Sequence, residues 1–299
     1  MKITLQQLRV FIAITRHGNL TSAAASLFLS KGAVSQSLQQ LESHLETALF
    51  DRVHPKLKLN QQGRQLLSMA DELIARAEDI ERTFGKNADT LGELHIGASQ
   101  TIGNYLLPSL LAEQGLMQHQ EIKVTITNSD TLCQMLLNFD LDMALIEGQQ
   151  SRPELQTTPW IKDHMILICA PNHPLTERPS LSLNELNQEM WILREPESGS
   201  RQQFERWIRP ALNSEQHSVL ELSSIESVLL AVEKGLGISF ISNLAAKEKL
   251  STGKVCALNI DQAFPRQLHL VWHKQKYLPR RLAHFSQFLS AWGDQYQPL

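Results

Sequence analysis

The chain has 299 residues, of which 42% are hydrophobic and 20% are charged, a composition typical of a globular protein with room for two or three domains. Lys2, Arg9 and Arg16 interrupt the apolar positions at its start, which argues against a signal peptide, and no later stretch is long enough to span a bilayer. We therefore expect a cytoplasmic protein that has no membrane partner.

The cysteines lie far apart in the sequence and are odd in number: Cys133, Cys169 and Cys256. This spacing predicts neither a disulfide framework nor a metal site, and it fits a reducing compartment. The histidines are scattered without ligand spacing. We predict no metal and no cofactor.

The net charge of −3 is unevenly distributed along the chain. Residues 1–64 contain eight Lys and Arg against three Asp and Glu, a net charge of +5, which leaves −8 for the rest. A basic head on an acidic body is expected when only one domain meets nucleic-acid phosphates. A chance variation in surface charge would give the same pattern, so the decision rests on periodicity.

Two short helices are predicted at the start of the head. Apolar residues at helical spacing from Leu5 predict a first helix that stops at Gly18, a residue suited to a left-handed helix end. Thr21 is then expected to cap a second helix from Ser22 to Leu27.

A third helix follows, capped by Ser30, with one apolar stripe formed by Val34, Leu38, Leu41 and Leu45. Its opposite face is polar without being acidic and carries Lys31, Ser35, Gln36 and Gln39. Amides and hydroxyls can bond base edges in the major groove, and Gln pairs well with adenine. The alternative is an ordinary solvated face on a three-helix domain.

The strict alternation Lys56-Leu57-Lys58-Leu59 after His54-Pro55 predicts a short hairpin. Its basic side chains would reach the phosphates that flank a recognition helix. Residues 1–59 are therefore predicted to be a winged helix-turn-helix domain, with double-stranded DNA as its partner. The predicted DNA contacts are Thr21, Lys31, Ser35, Gln36, Gln39, Arg52, Lys56 and Lys58.

Residues 60–89 predict a linker helix, capped by Asn60 and running to about Lys86. About 26 residues at about 1.5 Å each would give a rod of nearly 40 Å. Its apolar seam, spaced 4, 3, 4, 3 and 4 residues apart, consists of Leu66, Ala70, Leu73, Ala77, Ile80 and Phe84. Such a seam favours dimerisation with a second copy, and the alternative is packing against its own domain.

These segments resemble the LysR-type transcriptional regulators. The resemblance is carried without a gap by Ala23-Ala24, Leu27, Ser30, Ala33-Val34-Ser35, Leu38, Leu41-Glu42, Leu45, Leu49-Phe50, Arg52, Leu57, Leu59 and Gly63. It implies a homodimer or homotetramer, a small-molecule effector and, if the protein is an activator, a contact with RNA polymerase. The sequence departs from the family at Glu46, where a glycine is usual, and at Asn60, where a threonine is common. A non-glycine residue in a left-handed conformation costs about 1 kcal/mol.

The body, residues 90–299, alternates strands with helices in two sets, which predicts two lobes and a largely parallel sheet with covered faces. The fold class is thus α/β with an N-terminal all-α winged helix-turn-helix. We place lobe I at about 90–162 and 266–299 and lobe II at about 163–265. The segments 170–175 and 232–238 resemble LysR-type effector domains, which are built like periplasmic binding proteins, and 101–108 and 146–148 resemble one branch of that family.

The predicted effector site lies where strand ends meet helix starts. Its residues are Ser99, Gln100, Thr101, Asn128, Ser129, Glu147, Ser198, Gly199, Ser200 and Arg201. Helix capping explains any one of these hydroxyls equally well, but their convergence from both lobes favours binding. A lining of hydroxyls and amides with few aromatic rings suits a small anion, either a carboxylate or a sulfur oxyanion. Glu147 opposes an anion, so a cationic or amino-acid-like effector is the alternative.

No enzyme motif is present in the body. There is no Walker lysine loop, no nucleotide-binding glycine fingerprint and no His-Glu-x-x-His, and the cleft serines lack a nucleophile-elbow context. A solute-binding protein would share the two lobes, but it requires export, and the basic head contradicts that reading. The sequence therefore predicts a transcription regulator and no catalytic residue.

Overall fold

The computed structural model describes residues 2–53, 56–85, 92–113, 120–148, 150–212 and 218–296. The head consists of three helices and a hairpin: α1 (Leu5–His17), α2 (Leu20–Ser26), α3 (Lys31–Leu45), β1 (Phe50–Val53) and β2 (Lys56–Leu59). The strands pair antiparallel, so the alternating segment forms the predicted wing. An apolar cluster that includes Phe11, Val34 and Leu41 joins the three helices.

The helix ends of the head follow from local chemistry. Thr4 and Gln7 form a capping box at the start of α1, and Gly18 ends that helix in the predicted left-handed conformation, with φ +66°. The predicted cap of α2 was wrong. Asn19, not Thr21, accepts the bond from the Ser22 N–H at 2.8 Å, because α2 begins two residues earlier than expected.

The end of the recognition helix α3 keeps the family geometry without its glycine. Ser30 caps the start as predicted, with its Oγ accepting from the Ala33 N–H at 3.1 Å. Glu46 lies at the other end in a left-handed conformation, φ +53°, and its N–H bonds to the last turn. The departure from glycine is therefore tolerated at a strain of about 1 kcal/mol rather than avoided by a different helix end.

The linker helix α4 (Gln61–Phe84) is capped by Asn60, whose Oδ1 accepts from the Gly63 N–H at 2.8 Å. One side of its first half packs on the head: Ala70 is fully buried in the cluster around Phe11, and Leu66 lies against it. Ala70 therefore packs on the chain's own head rather than in a dimer seam, whereas Leu66 is half-buried. An exposed apolar stripe runs beside them and consists of Met69, Leu73, Ile80 and Phe84.

Lobe I begins the body. Its elements are β3 (Gly92–Ser99), α5 (Gln100–Tyr105), α6 (Leu107–Ala112), β4 (Gln120–Thr127), α7 (Ser129–Leu137), β5 (Met143–Glu147) and the first half of β6 (Leu155–Cys169). The helical segment after β3 is broken at Leu106: α5 ends at Tyr105 and α6 begins at Leu107, with Pro108 in its first turn.

Lobe II follows, and the chain then returns to lobe I. The remaining elements are β7 (Trp191–Leu193), α8 (Gly199–Trp207), β8 (Val219–Glu221), α9 (Ile225–Glu233), β9 (Ser239–Ser242), α10 (Asn243–Ser251), β10 (Cys256–Ala257), β11 (Phe264–His273) and α11 (Arg280–Gln295). No helix in the described ranges is long and apolar enough to cross a bilayer.

The main sheet is mixed rather than largely parallel. Seven strands form it in the order β10-β6-β11-β5-β3-β4, with β9 also paired to β6. Among the described strands of this sheet, the parallel pairs are those of β3 with β4 and of β3 with β5. The long strands β6 and β11 cross between the lobes in opposite directions and therefore pair antiparallel. The two lobes thus share one sheet, and these long strands form the connection between them.

The length of β6 was missed in the sequence. β6 extends from Leu155 to Cys169 and includes Pro159, a residue that is uncommon inside strands. The proline is accommodated because it faces the irregularity of β11 between Gln267 and His269, where a ladder hydrogen bond is already lost.

Candidate DNA-reading face and effector cleft

The reading face of α3, formed by Lys31, Ser35, Gln36 and Gln39, lies opposite the stripe that packs into the head. Lys31, Gln36 and Gln39 are exposed, and Ser35 is half-buried. Thr21 is exposed on the neighbouring α2, and Lys58 on the wing. The side chains of Arg52 and Lys56 lie outside the described residues. The face therefore exposes two amides and one ammonium group to solvent.

The cleft is centred on Glu147, at the carboxyl end of β5. Its carboxylate is almost fully buried and accepts three hydrogen bonds from three elements. The Thr101 N–H donates to Oε1 at 3.2 Å, Ser200 Oγ donates to Oε2 at 3.1 Å, and Arg266 Nη1 donates to Oε2 at 2.8 Å. Lobe I, lobe II and the crossing strand β11 therefore meet on one carboxylate.

Arg266 and Asp163 complete this centre, and the sequence analysis missed both. The Arg266 guanidinium has no exposed surface, lies between Glu147 and Asp163, and donates from Nε to Asp163 Oδ2 at 2.9 Å. Ser242 Oγ donates to the same oxygen at 2.7 Å. An arginine at an inward position of an apolar strand was the signal that could have revealed the cluster.

The charges of this centre stabilise each other. Burial disfavours the ionised form of Glu147, but the Arg266 guanidinium and the hydroxyls of Thr101 and Ser99 hold its pKa below the ordinary value. Burial likewise acts against the charge of Arg266, yet its two carboxylate neighbours raise its pKa further. One cation thus neutralises one of two carboxylates.

Two hydroxyls of the centre are incompletely bonded. Within the described chain, Ser99 Oγ and Thr101 Oγ1 are buried and have no hydrogen-bond partner of ordinary geometry. On β11, His269 Nδ1 is in the same condition, and burial lowers the pKa of that imidazole. Buried polar atoms of this kind are normally satisfied by water or a ligand.

The other predicted cleft residues join the two lobes or shape the helix starts. Gln100 on α5 accepts from the Ile225 N–H at 2.9 Å and donates to the Ser223 carbonyl, so it bridges to lobe II. Asn128 reaches Glu195 of lobe II at 3.4 Å. The Ser129 hydroxyl lies 3.5 Å from the Glu147 carbonyl oxygen.

The start of α8 packs directly on the centre. Ser198 caps this helix, with its Oγ accepting from the Arg201 N–H at 3.1 Å. A Cβ on Gly199 would lie 2.6 Å from the Glu147 Cβ, so only glycine allows this approach. Arg201 does not supply a free charge to the cleft, because it pairs with Glu205 and lies 3.7 Å from Glu221.

Beside Ser200 and Arg201 there is a cavity of about 10 Å³, about the size of one water molecule. All of its lining residues belong to lobe II, so it lies inside that lobe and not between the lobes.

A helix-turn-helix head joined by a long helix to two lobes with a polar cleft is the architecture of a ligand-responsive transcription regulator. Family models described as "LysR substrate binding domain" and "Bacterial regulatory helix-turn-helix protein, lysR family" match residues 87–294 and 5–64. The chain belongs to the LysR family of DNA-binding transcriptional regulators with an effector-binding domain. The predicted family, fold class and regulatory function are confirmed.

The relatives agree with this assignment over almost the whole chain. The chain is 35% identical to the uncharacterized HTH-type transcriptional regulator YeiE of Escherichia coli, covering 96% of this chain and 97% of that protein. This is the branch that the segments 101–108 and 146–148 resemble. The present chain is also 30% identical to the RuBisCO operon transcriptional regulator of Allochromatium vinosum, and the match covers 97% of this chain and 96% of that protein. A full-length OxyR variant from Pseudomonas aeruginosa shares the fold, with a TM-score of 0.75, 21% identity and coverage of 100% of both chains.

Proposed function

We propose that the effector of this regulator is a small oxyanion, a carboxylate or a sulfur oxyanion, that binds in the cleft now held by the Glu147 carboxylate. The observation that carries the proposal is the donor set around that group. A backbone N–H, a hydroxyl and a guanidinium converge on one carboxylate from both lobes. A side chain of the protein thus occupies a site whose chemistry suits an anion.

The surroundings support the same class of ligand. The start of α8 lies against the centre, and free backbone N–H groups at a helix start favour negative charge. The hydroxyls of Ser99 and Thr101, which act on the Glu147 carboxylate, add two donors to the same set.

An amino-acid-like effector is the second candidate, and the charge count favours it. Glu147 and Asp163 bring two carboxylates against the single guanidinium of Arg266, which leaves room for one additional positive charge. The negative charge of Glu147 should weaken the binding of an anion and strengthen the binding of an amino-acid-like effector that carries a positive charge.

Replacing Glu147 by glutamine is therefore expected to separate them. Glu147→Gln keeps the shape and an acceptor oxygen but removes the charge that competes with an anion for Arg266. Isothermal titration calorimetry of the full chain with sulfite, sulfate, acetate and arginine measures the change in binding affinity. An anionic effector should bind about tenfold more tightly to the variant, which corresponds to about 1.4 kcal/mol.

Glu185→Gln is the matched control, because Glu185 is an exposed carboxylate of lobe II paired with Arg178, away from the cleft. It should leave each affinity unchanged. Weaker binding of arginine to Glu147→Gln would support the amino-acid-like effector instead. Anion binding that Glu147→Gln leaves unaltered would refute the assigned site.

For DNA, we propose that a homodimer reads two half-sites with paired α3 helices. Gln36 and Gln39 supply the base contacts, and Lys58 with the wing residues Arg52 and Lys56 supplies phosphate contacts. If the protein is an activator, RNA polymerase is a further partner. A cytoplasmic location and the absence of a catalytic role stay predictions from the sequence.

Gln36→Ala and Gln39→Ala are each expected to weaken operator binding by about 1–3 kcal/mol and to leave non-specific DNA binding unchanged. Lys58→Ala should weaken all sequences alike and reduce the slope of log affinity against log salt by about one. Fluorescence anisotropy over a salt series, with an operator selected from random DNA, measures both quantities.

Gln65→Ala serves as the control, because Gln65 is an exposed amide at the start of α4, outside the reading face. It should retain full operator affinity. If the Gln36 and Gln39 variants keep the operator preference of the wild type, the reading face is assigned to the wrong side of α3.

A further inference from the structure

Lobe I contacts the head at the loop 138–142, which connects α7 to β5. Phe139 on this loop adopts a left-handed conformation with φ +58°, an unusual one for a bulky residue. Its side chain is 3% exposed and belongs to the apolar cluster of the head. One aromatic ring of the body thus packs against the apolar cluster of the DNA-binding domain.

A buried ion pair supports this contact. Lys276, which follows β11, places its Nζ 3.0 Å from Asp71 of α4 and 3.1 Å from Asp142 of the loop. All three side chains are at least nine-tenths buried, and the Lys276 Nζ also lies 5.5 Å from the centre of the Phe139 ring. Burial disfavours the charge of Asp142, yet Lys276 holds its pKa below the ordinary value. Lys276 therefore joins the linker helix to lobe I, as does a second cation, Arg281, whose Nη1 lies 3.7 Å from Asp79 of α4.

A third contact comes from α1 of the head. Arg16 Nη2 donates to the Phe139 carbonyl at 3.2 Å, and its Nε lies 3.8 Å from Asp140. Between these points the two surfaces enclose a cavity of about 400 Å³ with many charged side chains. The head is therefore held at a few points rather than over a continuous packed interface, which suits a contact that can open.

The loop is also placed to respond to the cleft. The helix before it, α7, begins at Ser129, and the strand after it, β5, ends at Glu147. Both elements that leave the loop thus end at the effector centre.

We infer that the loop 138–142 and Lys276 form an intramolecular docking surface through which lobe I sets the orientation of the recognition helix. The docking surface engages the head of the same chain, and it does not depend on the identity of the effector. When it is intact, α1 and α3 keep one position relative to lobe I. When it is broken, the head and the α4 helix on which it packs are free to change their orientation relative to lobe I.

Pulsed electron spin resonance can test this inference on the full chain. Spin labels at Ser43→Cys on α3 and Gln287→Cys on α11, both exposed, report the distance from the head to lobe I. Cys256→Ser removes the half-exposed native thiol, and excess unlabelled protein limits any assembly to one labelled chain. We expect a narrow distance distribution in the doubly labelled Cys256→Ser protein. The distribution should be at least twofold broader when Lys276→Met or Phe139→Ala is added to it.

Two variants guard against a simple loss of folding. Arg16→Met removes only the partly exposed contact, so it should fold normally and broaden the distribution by a smaller amount. Arg178→Met removes an exposed ion pair of lobe II and should leave the distribution unchanged. Near-ultraviolet circular dichroism reports whether each variant has kept its tertiary packing. Narrow distributions in folded Lys276→Met, Phe139→Ala and Arg16→Met would overturn the inference, whether or not an anion is the effector.

Discussion

Arg266→Met is expected to destabilise the effector domain by about 3–5 kcal/mol, because it leaves Glu147 and Asp163 buried without their cation. Methionine fills similar space, so the loss is electrostatic rather than a packing defect. For a domain of this size the melting temperature should fall by about 10 °C. Thermal unfolding of the full chain, followed by circular dichroism, measures the effect.

The pH dependence of this loss has a defined sign. In the wild type the pKa of Glu147 is lowered, so the stability it contributes is present at neutral pH and is lost as pH falls through the folded-state pKa. Without Arg266, burial would raise the pKa of the Glu147 carboxyl, and the variant would instead lose stability as pH rises. The difference in melting temperature should therefore shrink from about pH 7 to about pH 5.

A rescue experiment tests the cause of the loss. Adding Glu147→Gln and Asp163→Asn to Arg266→Met removes both uncompensated charges and should recover most of the melting temperature. Arg178→Met, which breaks an exposed pair, should change it little. A triple variant as unstable as Arg266→Met alone would show that the loss is not electrostatic.

From the sequence we predicted several residues of the cleft, but not Arg266 and Asp163, the two charged residues that complete its centre. Ser99, Thr101, Ser200 and Glu147 were identifiable because parallel strand ends and helix starts meet at a known edge of an α/β sheet. Arg266 and Asp163 were not, because their meeting depends on β6 and β11 crossing between the lobes in antiparallel register. The pairing register of β6 and β11, which lie about a hundred residues apart in the chain, is determined by the whole sheet and is not visible as a pattern in either segment.

The linker helix shows the same difference between features that local sequence determines and features that tertiary packing determines. The heptad spacing predicted that one face of α4 would be apolar, and it is, but spacing alone does not say which apolar residues the head covers. Ala70 is buried against α1, whereas Leu73, less than one turn further on, is exposed. Local caps such as Ser30 and Asn60 were predictable because their bonds reach only three residues along the chain.

Leu73→Glu is expected to abolish dimerisation. The exposed stripe of α4 has Leu73 at 50% exposure between Met69 at 58% and Ile80 at 61%, with Phe84 at 85% further along. Four large apolar side chains on one long helix predict a contact with a second copy, since the head does not cover them. A carboxylate placed there would be unpaired in an apolar interface, at a cost of several kcal/mol.

Size-exclusion chromatography with multi-angle light scattering measures the result: the wild type should elute as a dimer or tetramer and Leu73→Glu as a monomer or as aggregate. Leu5→Glu is the matched control, because Leu5 is 45% exposed on α1, away from the stripe, and its replacement should leave the assembly intact. The monomer should also bind a palindromic operator far more weakly, because it presents only one α3. An unchanged assembly in Leu73→Glu would mean that the stripe packs elsewhere and that the recognition helices are paired through another surface.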